Sequence, residues 1–329
     1  MHRFADPLDR ALLDDWQRDF PVDARPFAAL AEHLGTSEAD VIARLAAKRA
    51  AGQITRVGAT VAPNTISAST LAAVAAPEHR IEQVAAIIDD EPGVNHSYLR
   101  ENRWNLWFVA TGPDRAHVDA ALARIAARSG LRVLDLPLVR PFNLDLGFSL
   151  RGEATPRPAP QQPDITVLRP GDREIVQALM RGLPLIERPY AEIGASLGLD
   201  MDAVIARIRV LVSARIIARF GVIVRHRALG WRANAMVVWD LPSEEIDTAG
   251  PLLAAQPGVT LCYERAPVAG IWPYRLYSMI HARSRAEAMD RLSAAAALPC
   301  LRNAPHVALF STRCFKQTGA MVTDERSTA

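Results

Sequence analysis

A chain of 329 residues with 50% hydrophobic positions is longer than one ordinary domain and too apolar to stay disordered. Its 38 Lys and Arg against 36 Asp and Glu leave a formal charge of +2, which excludes nucleic-acid binding by bulk positive charge. No apolar run approaches the ~20 residues of a bilayer crossing. Three scattered cysteines, Cys262, Cys300 and Cys314, lack CxxC spacing and argue for a reducing cytoplasm and against a zinc or iron–sulfur site.

In chain order, residues 8–20 have a helical pattern, and residues 27–34 read as a short helix stopped by Gly35. Ser37-x-x-Asp40 is a capping box that opens a third helix with Val41, Ile42 and Leu45 on its buried face. Residues 54–60 form a β-rich ribbon, so residues 1–62 spell a winged helix-turn-helix. Residues 71–76 are then β-like, Ile81, Val84 and Ile88 recur at helical spacing, and two strands span 94–111. Val118, Leu122 and Ile125 mark another helix and residues 131–138 a last strand. This β-α-β-β-α-β order over 63–150 is that of a ferredoxin-like sandwich, an antiparallel sheet with two helices on one face. A proline-rich linker follows at 151–168.

The chain then repeats itself. Residues 9–58 align with 172–221 without a gap, identical at 17 of 50 positions. Tyr98-x-Arg100 recurs as Tyr263-x-Arg265, and Arg140-Pro-Phe142 as Arg313-Cys-Phe315. A second winged helix-turn-helix therefore occupies 169–228, with Asp200 at the cap of its third helix and 216–224 as its ribbon. A second ferredoxin-like domain fills 229–329. The fold class is α+β, a tandem duplication whose unit, a winged helix-turn-helix followed by a ferredoxin-like domain, resembles the Lrp/AsnC type. Each sheet has a bare face that the other copy is placed to cover, giving an intramolecular pseudo-dimer; whether fused chains pair further as a homodimer stays open.

A DNA-reading third helix should present polar side chains to bases from its first turn. Here those turns hold Glu38, Asp40, Asp200 and Asp202, which repel phosphate, so no nucleic-acid partner is expected. The chemistry lies in the strands. Alternation puts Val94, His96, Tyr98 and Arg100 on one face, with Asn105, Trp107 and Val109 sharing a face of the next strand. The second copy has Val259, Leu261, Tyr263 and Arg265, then Arg275, Tyr277, Met279 and His281. Both copies keep Tyr-x-Arg, but each supplies its imidazole from a different strand.

The strings His96-Ser-Tyr-Leu-Arg100 with Trp104-Asn-Leu-Trp-Phe108, Cys262-Tyr-Glu-Arg265 with Trp272-Pro-Tyr274 and Met279-Ile-His281, and Phe310-Ser-Thr-Arg-Cys-Phe-Lys316 resemble the siroheme decarboxylases. These are Lrp/AsnC-like proteins, and the likeness is to the form in which two related subunits are fused. Ser97, Asn102 and Arg275 depart from the usual Asn, His and Asn. The resemblance implies siroheme as partner and substrate, with non-oxidative loss of the C12 and C18 acetate carboxylates to give didecarboxysiroheme for d1-type or alternative haem. It implies no added cofactor and no metal held by the protein alone, the iron being part of the substrate. His96 is then the first-choice proton donor and His281 the second, each also a candidate axial ligand to that iron, with Tyr98 orienting His96. Arg100, Arg265, Arg140, Arg313, the ribbon residues Arg56 and Arg219, and Lys316 are candidates to hold siroheme's carboxylates. Tyr263 stands beside them, and Trp107, Trp272 and Tyr274 are expected to form an apolar slot for the reacting acetate. The alternative is a haem-responsive Lrp/AsnC-type DNA-binding regulator that uses the same site as a sensor.

Overall fold

A computed structural model describes residues 6–144, 147 and 162–324; most of the expected linker, 151–161, lies outside the described residues. The first copy runs α1 (Pro7–Asp14), α2 (Pro26–Leu34), α3 (Glu38–Ala50), β1 (Ile54–Val61), β2 (Ala68–Val74), α4 (Ile81–Asp89), β3 (Val94–Arg100), β4 (Leu106–Gly112), α5 (Arg115–Ser129) and β5 (Val133–Asn143). The second repeats this order as α6 (Asp172–Arg181), α7 (Pro189–Leu197), α8 (Met201–Ser213), β6 (Ile217–Val224), β7 (Ala233–Trp239), α9 (Ser243–Ala254), β8 (Val259–Arg265), β9 (Leu276–Ala282), α10 (Arg285–Ala296) and β10 (His306–Gln317). The chain forms two compact units that cut across the duplication: one gathers both helix-turn-helix segments, the other both ferredoxin-like segments.

In the first unit, the Ser37 hydroxyl accepts from Asp40 N (3.2 Å) to open α3, and α2 ends on Gly35 in the left-handed region (φ 67°). Asp200 stands in the same place before α8 but makes no side-chain capping bond. The ribbons are single strands, and each pairs with the other copy: β1 and β6 run antiparallel with Gly58 opposite Gly221. A Cβ on Gly58 would collide with the Leu179 carbonyl, and one on Gly221 with the Trp16 and Gln17 backbone. Only glycine lets each strand lie this close to the other copy's helical segment. The arginine of the repeated Val-Ile-Ala-Arg is spent inside the fold: Arg44 pairs with Asp6, Asp9 and Asp40, and Arg207 with Asp172.

In the second unit, Val84, Ile88, Val118, Leu122 and Ile125 pack on one face of the first sheet, as their spacing requires, and Ile246, Leu253 and Leu292 do so on the second. The eight strands close in the order β10-β3-β4-β2-β5-β8-β9-β7. Closure follows from strand length. β5 and β10 have 11 and 12 residues where β3 and β8 have 7, so the first part of each pairs within its own sheet and the rest crosses to the other copy. Among the described residues this barrel has no open sheet edge. The enclosed face buries Leu71, Trp107, Leu136, Met236, Tyr263, Tyr277 and Leu309 among others, each such side chain contributing about 1.5–3 kcal/mol. Among the described residues no helix is long and apolar enough to cross a membrane.

Candidate functional site

The alternation of β3 breaks once. Val94 pairs with Ala110 and His96 with Val109, so Asn95 is a bulged extra residue. Val94 therefore packs on the helix side, not with His96, while His96, Tyr98 and Arg100 turn into the barrel beside Val109 and Trp107. β8 has the same bulge at Thr260, which sends Val259 to the helices and leaves Leu261 and Tyr263 inward.

His96 and Tyr98 are half-buried, with rings nearly parallel at 6.4 Å between centroids. The Arg100 guanidinium lies 5.4 Å from the Tyr98 ring centre, at cation–π distance. Its Nη1 donates to Leu309 O (3.0 Å) and to Asn234 Oδ1 (3.3 Å), while its Nε is buried without a hydrogen-bond partner. Burial lowers Arg100 to about 10, leaving it a cation at neutral pH, and raises the Tyr98 phenol well above its ordinary value, leaving it a donor. The other copy keeps the pairing: Arg265 lies 4.7 Å from the Tyr263 ring centre and its Nη1 donates to Leu136 O (2.6 Å).

His281 is 7% exposed and faces the same interior. Its Nε2 lies 2.7 Å from Asn234 Nδ2 and its Nδ1 2.7 Å from Thr260 Oγ1. Burial, with the charges of Arg100 and Arg291, pushes it down to about 4, so the ring is neutral at pH 7. A neutral imidazole engaged at both nitrogens is a poor proton donor, and it would have to give up one contact to reach an iron.

The remaining expected site residues divide sharply. Bulges in β5 and β10 rotate Arg140 and Arg313 out of the barrel to the helix side, where Arg140 pairs with Asp247 and Glu264, and Arg313 with Glu82. Lys316 likewise reaches the end of α4, donating to Asp89 O (2.7 Å). These three do not join His96. Trp107 and Trp272, 5.3 Å apart between ring centres and 1% and 4% exposed, are buried together in the barrel interior. Trp272 Nε1 donates to Tyr277 Oη (2.7 Å), and Tyr274 packs edge-on against Trp272 at 4.8 Å. Arg56 and Arg219 belong to the first unit, on β1 and β6; burial and the neighbouring Arg219 charge lower Arg56 to about 10.

Sequence reasoning missed Asn234 and Thr260, the two residues that hold His281, and Ser311, whose hydroxyl also donates to Asn234 Oδ1 (3.3 Å). Asn234 lies directly opposite His281 on the neighbouring strand, but nothing in a single sequence reports that pairing. Also missed was a cleft of about 290 Å³ lined by Glu101, Arg232, Arg283, Arg285, Phe310 and Ser311. Among the described residues no group of three His, Cys, Asp or Glu is placed to hold a metal ion.

Paired helix-turn-helix segments, a barrel closed from two ferredoxin-like halves, and buried ionisable groups inside it define a duplicated AsnC-type ligand-binding protein. The profile described as the AsnC-like ligand binding domain matches residues 66–143 and 228–316, and the siroheme decarboxylase NirDL-like HTH domain matches 9–54 and 172–217. The siroheme decarboxylase NirDL subunit of Paracoccus pantotrophus is 57% identical over 97% of this chain and 98% of its own length. That of Paracoccus denitrificans is 55% identical over 97% and 98%. A crystal structure of the siroheme decarboxylase NirDL in co-complex with an iron-uroporphyrin III analogue superposes with a TM-score of 0.67 at 25% identity, covering 92% of this chain and 90% of that one. The chain belongs to the siroheme decarboxylase NirDL family.

Proposed function

We propose that this chain is a siroheme decarboxylase, a carbon–carbon lyase that removes the C12 and C18 acetate carboxylates of siroheme as CO₂ to give didecarboxysiroheme, in a cytoplasmic route to d1-type or alternative haem. The observation that carries this reading is the 57% identity to a siroheme decarboxylase NirDL subunit across 97% of the chain, a match that takes in both copies. For each acetate, the bond to the carboxylate carbon breaks and its electron pair enters the macrocycle. The pair then returns to the exocyclic carbon as a C–H bond forms, so one carboxylate and one proton become one methyl group and one CO₂. No oxidant or reductant is consumed, and the scheme draws on no further cofactor.

His96 is the proton donor in this scheme: an inward, half-buried imidazole of a residue type whose ordinary pKa of ~6.5 suits proton delivery near neutrality. Tyr98, kept protonated by burial, stacks on it and fixes its orientation. Arg100 holds a neighbouring carboxylate through its unengaged Nε, since arginine forks are the strongest such partners. Arg232, Arg283 and Arg285 around the cleft are further candidates for a substrate with many carboxylates. The regulator reading gains no support, because the first turn of α3 presents the carboxylates of Glu38 and Asp40, paired with Arg25 and Arg44 of the same chain, where a DNA reader needs groups that face bases. Anaerobic incubation with reduced siroheme should yield product lacking two CO₂, and a gel shift on the gene's own upstream DNA should show no sequence-specific complex. Unchanged siroheme together with a specific DNA complex would reverse the assignment.

A further inference from the structure

The two copies are alike around Tyr-x-Arg but unlike in what supports the arginine. Superimposing the strand registers puts Ser69 at the place of Asn234, Asn95 at that of Thr260, and Thr111 at that of His281. Only Arg100 has the Asn–His–Thr set beside it, and that set comes from the other copy.

The direction of each bond in this set is forced. A guanidinium can only donate, so Asn234 must turn its oxygen to Arg100 Nη1 (3.3 Å), where it also receives the Ser311 hydroxyl (3.3 Å). Its amide nitrogen therefore faces His281 and donates to Nε2 (2.7 Å). An Nε2 that accepts leaves the proton on Nδ1, which donates to Thr260 Oγ1 (2.7 Å), and that hydroxyl donates onward to Met279 O (3.1 Å). Along the chain from Arg100 to Met279 O, reversing any one link breaks the next. The bulge at Thr260 is what turns its hydroxyl to His281.

From this arrangement we infer that His281 is a positioning residue and not a proton donor: as the neutral Nδ1–H tautomer it fixes Asn234, which holds the Arg100 guanidinium in register for a substrate carboxylate. This rests on the decarboxylase reading for its consequence, but the tautomer can be tested without turnover. In ¹⁵N-histidine-labelled protein, long-range ¹H–¹⁵N correlation should show His281 neutral with its proton on Nδ1 at pH 7. A charged ring, or a proton on Nε2, overturns the inference whatever the activity.

The kinetic arm uses Thr260→Val, a near-isosteric change that removes the acceptor for Nδ1–H, with Thr260→Ser as the rescuing variant. Thr260→Val should raise KM for siroheme by about tenfold, the worth of one well-placed hydrogen bond to a charged group, with kcat and its pH profile held. Thr260→Ser should restore wild-type KM, and His281→Gln should resemble Thr260→Val. If His281→Gln instead cuts kcat by about a hundredfold or more and removes a limb of the pH profile, His281 is the donor and the inference fails. Wild-type protein that leaves siroheme unchanged while the tautomer is as stated would count against the decarboxylase reading alone.

Discussion

Replacing Arg100 with Met separates the binding role of this residue from its structural one. Arg100 is 6% exposed, and methionine fills much of the same space without charge. On the folding side, the change removes the side-chain donor to the Leu309 carbonyl and one of the two donors to Asn234 Oδ1, which keeps the Ser311 hydroxyl, at a cost of about 1–3 kcal/mol, and forfeits a cation–π contact worth about 1 kcal/mol. Against this, the fold no longer pays several kcal/mol to desolvate a buried cation, so the net change in stability should stay within about 2 kcal/mol. On the binding side nothing compensates. A charge-assisted bond to a carboxylate, worth about 1.5–3 kcal/mol, is lost, which weakens siroheme binding roughly 10- to 150-fold. Anaerobic titration of the tetrapyrrole absorbance gives the affinity, and a thermal melt controls for folding. An Arg100→Met protein that melts like wild type and binds siroheme within twofold of it would refute the assignment of Arg100 as a carboxylate anchor.

Other consequences are as direct. Arg313→Ala should leave siroheme affinity within about twofold and stability within about 1 kcal/mol, because Arg313 is exposed on the helix side, where it pairs with exposed Glu82 and lies over the Phe315 ring; a tenfold loss of affinity would place it back at the site. Gly221→Ala should destabilise the protein by about 1–3 kcal/mol in a denaturant titration, since the added methyl meets backbone that cannot swing away; wild-type stability would contradict the strand–helix approach. His281 is held at about 4 in the fold against 6.5 unfolded, so the unfolded chain takes up its proton first on acidification. Its contribution is complete above pH 6.5 and is lost as pH falls from there toward 4, amounting to about 2 kcal/mol between pH 7 and 5. Urea titrations at the two pH values should show that much less pH dependence in His281→Gln, and equal slopes would refute the neutral, buried ring.

The duplication and the order of elements were legible because they rest on local rules. A gapless repeat, helical spacing at Val84 and Ile88 or Val118 and Ile125, and a Ser37 cap depend on neighbours in sequence. The faces of the strands were legible only until the first bulge. One extra residue at Asn95 inverts everything before it, which is why Val94 was grouped with His96, and bulges in β5 and β10 send Arg140 and Arg313 to the opposite side from their expected place. A bulge has no reliable mark in one sequence. The pairing of β5 with β8 and of β10 with β3 is likewise nonlocal, so sequence could name Trp107 and Trp272 as aromatic site candidates without showing that the closed barrel buries both. His281 was found by type and alternation, but its role depends on Asn234 and Thr260, which neighbour it only across strands.

The most direct test of the account follows both the carbon and the proton. Purified protein is incubated anaerobically with reduced siroheme in D₂O, and the product is examined by mass spectrometry and NMR. The account predicts a product that has lost two CO₂ and carries one deuterium in each new methyl group, at C12 and C18, formed without any added redox partner. Siroheme recovered intact, or product formed only when an oxidant or reductant is supplied, would contradict it.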